Sequence, residues 1–471
     1  RQRQMCIRDR YVIGSLICYP LLTKRHVLKQ KEKYAEQAAK ETVDRSASVR
    51  CLDDNTQALV YRLALIESAQ RELIMTTFDM SDGESGQDLM AAMLQAADRG
   101  VRIRLMVDGI NAWLKLEKSD LFGAFSTHPN IEIRFYNPIR LTKLWKLNYR
   151  MHDKYLIADD TAYILGGRNS NNLFLGAYRD TYNIDRDLYV LERTEKNASD
   201  VMQKKERNSL QDIKAYFEKI WVQPDQKIFR KKETEKTKEG LALLREHYKE
   251  LQTAYPEVFS ETETLLTQDL IRVDSIQFLH NPLYADEKVP VVYQRICQEM
   301  EQGETILIQT PYIICDKGMY QDLSELCRAG KQIEIITNAV ESGANPWGCT
   351  DYLNERKSIL KTGAGVYACM AGQSLHTKTV LIDDETSIVG SYNLDLRSTY
   401  LDTELMLLVK SKELNKQLRD QAAAYQEKSA YEKAGKPSRT GSLYEKKEMS
   451  GMQKVIYSIL RILIRPIREV L

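Results

Sequence analysis

The amino-acid sequence predicts an α/β protein built from two copies of one unit, and three observations predict it. First, Leu89–Gly109 (LMAAMLQAADRGVRIRLMVDG) and Met319–Ala339 (MYQDLSELCRAGKQIEIITNA) each read as an amphipathic helix, a glycine (Gly100 or Gly330) and an alternating strand. Second, MHDKYLIADDTAYILGGRN, ending at Asn169, is matched by LHTKTVLIDDETSIVGSYN, ending at Asn393. His152 and His376 are 224 residues apart, and so are Asn169 and Asn393. Third, strand and helix patterns alternate in each copy, as they do in α/β domains.

The strand candidates of the first copy are Leu73–Phe78, Arg102–Val107, Glu132–Tyr136, Lys154–Ala158 and Tyr163–Gly166. Those of the second are Thr305–Thr310, Gln332–Thr337, Gly365–Cys369, Thr379–Ile382 and Ser387–Val389. The copies define a first lobe at residues 51–196 and a second at 264–430, joined by a polar, helical connector at 197–263. A length of 471 residues accommodates two or three such units. The chain is 43% hydrophobic and 28% charged, which excludes a disordered polymer. Its net charge of +2 argues against a dedicated nucleic-acid binder. The eight cysteines form no Cys-x-x-Cys pair and no zinc-like spacing, and they read as small buried thiols of a reducing compartment.

The two ends point to a membrane. Residues 1–10 (RQRQMCIRDR) resemble translated adapter sequence and read as a non-native leader. Residues 11–22 are apolar and read as the end of a membrane helix, followed by a linker at 23–50. Lys24, Arg25, Lys29, Lys31 and Lys33 then place the body on the cytoplasmic side of the membrane. At the other end, a polar linker at 431–450 precedes a basic amphipathic helix at 451–471. That helix suits either an anionic membrane surface or the protein's own core.

The chemistry gathers in the second repeated block. Residues i and i+2 of a strand share a face, so His152 projects with Lys154 and His376 with Lys378. Lys154, Lys378, Asn169 and Asn393 can hold anionic phosphate oxygens. A neutral imidazole can attack phosphorus, and a protonated one can give the leaving alkoxide its proton. This chemistry calls for no metal or cofactor.

Both copies carry H-x-K-x4-D-x6-G-[GS]-x-N in full, with Asp159 and Asp383 at the motif aspartate. The chain therefore resembles the phospholipase D superfamily, across about residues 59–409. The resemblance implies two phospholipase D-like lobes, each a mixed sheet flanked by helices, packed about a pseudo-two-fold axis so that both motifs meet in one cleft. It implies a carboxylate behind each histidine, for which Asp187 (in DRDLYV) and Glu404 (in DTELMLLV) are the candidates. It casts Asp159 and Asp383 as structural, His152 as nucleophile and His376 as general acid and base. Within the superfamily, AADRGVRIRLMVDG, the lead-in RLTKLWKLNYRMHDK and Thr310–Ile313 (TPYI) are most similar to bacterial cardiolipin synthases. The implied substrates are phosphatidylglycerol, with phosphatidylethanolamine as a second candidate, at a membrane surface and without nucleic acid. Asn172 departs from the family's usual acidic residue there and keeps a hydrolytic phospholipase D as the alternative. A nuclease and a non-catalytic lipid-binding scaffold are more distant readings. Lys143, Trp145, Lys146 and Arg150 form a candidate patch for headgroups. The oligomeric state is not legible.

Overall fold

The computed structural model describes residues 14–28, 47–192, 208–284 and 288–470. The leader at 1–10, the start of the apolar run, and Lys29, Lys31 and Lys33 lie outside the described residues. The chain divides into two compact units. One comprises Thr42–Arg140 and Arg150–Phe278, the other Arg1–Glu41, Leu141–Tyr149 and Leu279–Leu471. Leu141–Tyr149 thus falls within the 51–196 span that the sequence gives to the first lobe, yet belongs to the second unit. There Tyr149 is part of the apolar core, and Asn148 accepts a hydrogen bond from Arg397 at 2.8 Å.

The first unit is built on a nine-stranded mixed sheet. Its chemistry-bearing part consists of β1 (Glu72–Thr77), β2 (Arg102–Asp108), β3 (Ile131–Tyr136), β4 (Tyr155–Ala158), β5 (Ala162–Gly166) and β6 (Asp187–Leu191). Their spatial order is β6-β5-β4-β1-β2-β3, with β1, β2 and β3 parallel and the other pairs antiparallel. Residues Leu73–Thr77 are buried without alternation, as expected of a strand covered on both faces. The covering helices include α1 (Asn55–Ser68), α2 (Glu84–Asp98), α3 (Ser209–Trp221) and α4 (Glu235–Ala254). Asp54 starts α1 by accepting the Gln57 N–H, and Asn208 starts α3 with a capping box. Gly100, at φ 98°, turns the chain from α2 into β2.

The second unit also rests on a nine-stranded mixed sheet. Its strands β7 (Thr305–Gln309), β8 (Gln332–Asn338), β9 (Gly365–Cys369), β10 (Thr379–Ile382), β11 (Thr386–Gly390) and β12 (Leu405–Lys410) run in the order β12-β11-β10-β7-β8-β9. The parallel and antiparallel pairings repeat those of the first unit strand for strand. Helix α5 (Lys317–Arg328) is capped by Asp316 and ends at Gly330, φ 93°. Helix α6 (Pro346–Lys361) follows β8, and the short α7 (Leu396–Tyr400) follows the second motif. The predicted linker at 431–450 begins inside the sheet, because Ser429–Glu432 pairs with β9. It leads to α8 (Gly451–Leu463).

The described part of the apolar N-terminal run is a five-residue π-helical turn, Gly14–Cys18, and a ten-residue helix, Tyr19–Leu28. No helix among the described residues is long and apolar enough to cross a membrane. Lys24, expected as a charge flanking a span, is instead paired within the second unit. Its ammonium meets Asp316 at 2.8 Å and Glu469 at 2.7 Å.

The motif aspartates hold the hairpins. Asp159 and Asp383 take positive φ (52° and 48°) at the turns β4–β5 and β10–β11. The Asp159 carboxylate accepts the backbone N–H groups of Gln70, Arg71 and Glu72 at 2.8–2.9 Å. Asp383 accepts those of Glu304 and Thr305 at 3.0 and 2.8 Å. Partial burial of Asp383 works against its charge, but these donors hold the carboxyl below its ordinary range. Each aspartate thereby ties its hairpin to the first residues of the parallel strand beside it. Asp159→Ala removes three such bonds and should cost about 3 kcal/mol of stability. Turnover per folded molecule should be retained, as checked by denaturant titration alongside an active-fraction assay.

Candidate active site

Register brings the motif residues of each unit to one edge of its sheet. Tyr155 pairs with Thr76 near the end of β1 and with Leu165 near the end of β5, and Gly166 pairs with Asp187 at the start of β6. The equivalent pairs are Thr379 with Gln309, Thr379 with Val389, and Gly390 with Met406. His152 and Lys154 lie just before β4, and His376 and Lys378 just before β10, rather than inside the ladder. This is the edge at the carboxyl ends of the parallel strands, where open α/β sheets bind ligands.

In the first unit, His152 and Lys154 are almost wholly buried. The Phe78 ring meets His152 edge-on at 5.0 Å. The Lys154 ammonium lies 5.3 Å from that ring and donates to the His152 carbonyl at 2.6 Å. Asp153, between them, turns the other way and accepts from Tyr216 of α3 at 2.8 Å. In the second unit, Lys378 likewise donates to the His376 carbonyl and also contacts His376 Nδ1. Asn393 donates to the Tyr312 hydroxyl at 3.2 Å. Asn169 Oδ1 and Asn393 Oδ1 are both buried without a hydrogen-bond partner among the described residues. Such groups carry a free-energy cost unless something else, such as a ligand, satisfies them.

The carboxylates require a correction. Asp187, the expected partner of His152, is completely buried but engaged elsewhere. Arg62 donates to it at 2.9 Å, Arg168 at 3.3 Å, and the Arg168 N–H at 3.2 Å. Register explains this. Asp187 is opposite Gly166 and Met406 is opposite Gly390, so the counterpart of Glu404 is Asp185, two residues earlier. Asp185 is 1% exposed, and a Cβ on Gly167 would lie 2.3 Å from its carboxylate. Glu404 borders the equivalent Ser391, whose hydroxyl donates to it. Ser398 donates to its other oxygen at 2.6 Å. The paired residues are 21 positions apart in the first copy (187 − 166) and 16 in the second (406 − 390), so the constant offset ends here. Asp185 and Glu404 each lie six residues before the last residue of the strand that follows, a spacing that separates Asp185 from Asp187.

Arg150 also departs from its expected place in a headgroup patch. It is 4% exposed, bonded to Asp108 at 2.9 Å and to the carbonyls of Tyr136 and Asn137. It therefore anchors the backbone that leads into His152. Asn172 is occupied too. Its oxygen accepts from the Ser85 N–H and hydroxyl at the start of α2, at 3.0 and 2.9 Å.

Comparison with known proteins yields a matching family, described as "Cardiolipin synthase, PLD-like domain". It matches residues 63–221 and 296–425, more than half of the chain. Cardiolipin synthase C of Escherichia coli (strain K12) is 25% identical over 408 residues, covering 77% of this chain and 81% of that protein. An uncharacterized protein of Helicobacter pylori (strain ATCC 700392 / 26695) is 26% identical over 428 residues, covering 82% and 80%. The crystal structure of phosphatidylserine synthase from Haemophilus influenzae Rd KW20 superimposes with a TM-score of 0.64 at 15% identity. It covers 94% of this chain and all of that one, a likeness of fold.

Two predictions follow the carboxylates. Asp187→Ala removes the carboxylate that the buried Arg62 and Arg168 both bond and should cost about 3–5 kcal/mol of stability. Asp185→Asn should leave the melting temperature nearly unchanged and lower kcat. Equal destabilisation by both would refute the division of roles. A third concerns Asp395, the N-cap of α7, whose carboxyl is pushed up to about 7 chiefly by burial, with Glu404 and Asp402 adding to the rise. Above about pH 4 the unfolded chain has released this proton and the folded chain has not. Stability should therefore fall as pH rises from about 4 to about 7, by a contribution on the order of 4 kcal/mol. Asp395→Asn keeps the cap, and melting curves across that window should show the slope reduced.

Proposed function

We propose, because the chain belongs to the cardiolipin synthase, PLD-like domain family, that it is a phosphatidyltransferase of the cardiolipin synthase type. At the coarser level it is a phospholipid-metabolising enzyme of the phospholipase D superfamily. The equivalence of two complete motifs on equivalent strand ends of two equivalent sheets supports the two-motif chemistry, and the observation that carries the transferase reading is the family match over both repeats.

In this reading one phosphodiester is handled by both motifs. A ring nitrogen of His152 attacks phosphorus of the donor lipid. The bond to the headgroup oxygen breaks, and the departing alkoxide takes a proton from His376. The phosphatidyl group is now covalently bound to His152. An acceptor hydroxyl then gives its proton to His376 and attacks phosphorus, and the His152–phosphorus bond breaks. Lys154, Lys378 and the side chains of Asn169 and Asn393 hold the non-bridging oxygens. Lysine supplies charge, and the asparagine amides supply N–H donors. Asp185 and Glu404 fix the tautomers of the two imidazoles and stabilise their cationic forms. Arg150 and Asp187 support the backbone from beneath. With phosphatidylglycerol as both donor and acceptor the products are cardiolipin and glycerol. With phosphatidylethanolamine as donor, ethanolamine is released instead.

One observation favours a second reading. Asn172 stands where many relatives carry an acid; it accepts from Ser85 and donates to Glu84, so the acid at that position is replaced by an amide already engaged at the start of α2. Water could then take the place of the acceptor hydroxyl, and the enzyme would be a phospholipase D releasing phosphatidic acid. The two readings separate in phosphatidylglycerol vesicles, with and without phosphatidylethanolamine, with lipid products resolved by mass. Cardiolipin with free glycerol or ethanolamine is the expected result, and phosphatidic acid alone would replace transfer by hydrolysis. His152→Ala and His376→Ala should each lower turnover at least about 100-fold. Full turnover by His376→Ala would refute the two-histidine scheme.

A further inference from the structure

The C-terminal helix α8 has two apolar faces. Ser450 and Gln453 start it with a reciprocal capping box. At about 100° per residue, Tyr457, Leu460 and Ile464 fall within an arc of about 60°. Tyr457 and Ile464 are buried in the second unit, and Leu460 packs on its core. Polar contacts fasten the same side. Arg461 and Asn354 of α6 exchange hydrogen bonds at 2.9 and 3.1 Å. Arg468, beyond the helix, meets Asp351 at 2.7 Å and the Cys315 carbonyl at 2.7 Å. The helix is thus fixed to its unit from Tyr457 onward.

The remaining apolar residues face out. Met452, Val455, Ile456, Ile459, Ile462 and Leu463 occupy the opposite arc of about 120° and are 46–75% exposed. An uncovered row of this kind marks an interaction surface. Exposed Lys454 and Ser458 run along one border of the row, and exposed Arg465 follows its end. The helix has thirteen residues and so is about 20 Å long. The stripe is a single helix face, whereas a stable protein pair buries a matched, shape-complementary surface of roughly 800 Å² per partner. A lipid surface needs no such area or shape match. It accepts an apolar row at the level of the acyl chains and pairs the bordering cations with phosphates.

We propose that the outer face of α8 seats the second unit on a bilayer surface bearing anionic phospholipids. The choice of occupant rests on the phospholipid reading above. Because the inner face is fastened, the helix sets the orientation of its unit on the bilayer instead of acting as a loose tether.

The test uses the full chain and the double variant Ile459→Asp/Ile462→Asp, which leaves Tyr457, Leu460 and Ile464 in place. Cosedimentation is measured with phosphatidylcholine vesicles containing or lacking 30% phosphatidylglycerol, and turnover with vesicles and with a monomeric short-chain phosphatidylglycerol. The expected result is anionic vesicle binding by the parent, weakened at least about tenfold in the variant at an unchanged melting temperature. Turnover should fall on vesicles and be retained on the short-chain lipid. Lys454→Gln/Arg465→Gln should weaken binding to the anionic vesicles selectively. Vesicle binding by the aspartate variant equal to the parent's would overturn the proposal. So would a parental dimer that the variant dissociates without change in vesicle binding. Binding is read without turnover, so an inactive protein that binds through the stripe still supports the anchor, and an active one that does not bind refutes it.

Discussion

The arrangement depends on the grip of one carboxylate on one strand in each unit. Asp159 collects the N–H groups that open β1, and Asp383 those that open β7. This fixes the register between the motif hairpin and the parallel strands. Register matters because side chains alternate along a strand. A slip of one residue would send His152 and Lys154 to the face now taken by Asp153, which is bound to Tyr216. The aspartate of the motif therefore acts at the far end of the strands from the histidine it helps to place.

The glycines complete the placement at the near end. A Cβ on Gly166 would lie 2.1 Å from Asp187 Oδ1, and one on Gly390 would lie 2.1 Å from the Leu405 carbonyl. Only a residue without a side chain lets β5 and β11 approach their neighbours here. Close approach in turn buries acids at the sheet edge. The first unit balances them with Arg62 and Arg168 on Asp187, the second with the hydroxyls of Ser391 and Ser398 on Glu404. Asp187 has Met406 at its place in the second unit, so the repeats share a backbone while the first carries an additional buried acid with its two arginines.

Much of this was legible in the sequence. The duplication, the central strands and both motifs follow from a constant spacing and from apolar periodicity, which are local properties. β9 and β10 match their expected bounds residue for residue. The errors arose where the answer is a tertiary pairing. Asp187 and Asp185 are two acids in one short run, and only the pairing of β5 with β6 says which one matches Glu404. Arg150 looks like a surface cation until Asp108 is seen beneath it. Lys24 looks like a membrane flank until Asp316 and Glu469 are seen beside it. The C-terminal helix read as suited to a membrane or to the core. The structure gives it one face buried in the core and a second facing out, a division that a count of apolar residues does not reveal.

The central claim is that one histidine carries the phosphatidyl group while the other moves the proton. The most direct test is to mix the enzyme with phosphatidylglycerol, stop the reaction within the first turnover and map covalent adducts by peptide mass. The account predicts a phosphatidyl adduct on the peptide containing His152, formed and broken down more slowly in His376→Ala, and absent in His152→Ala. An adduct on the His376 peptide, or undiminished turnover with no adduct on either, would contradict it.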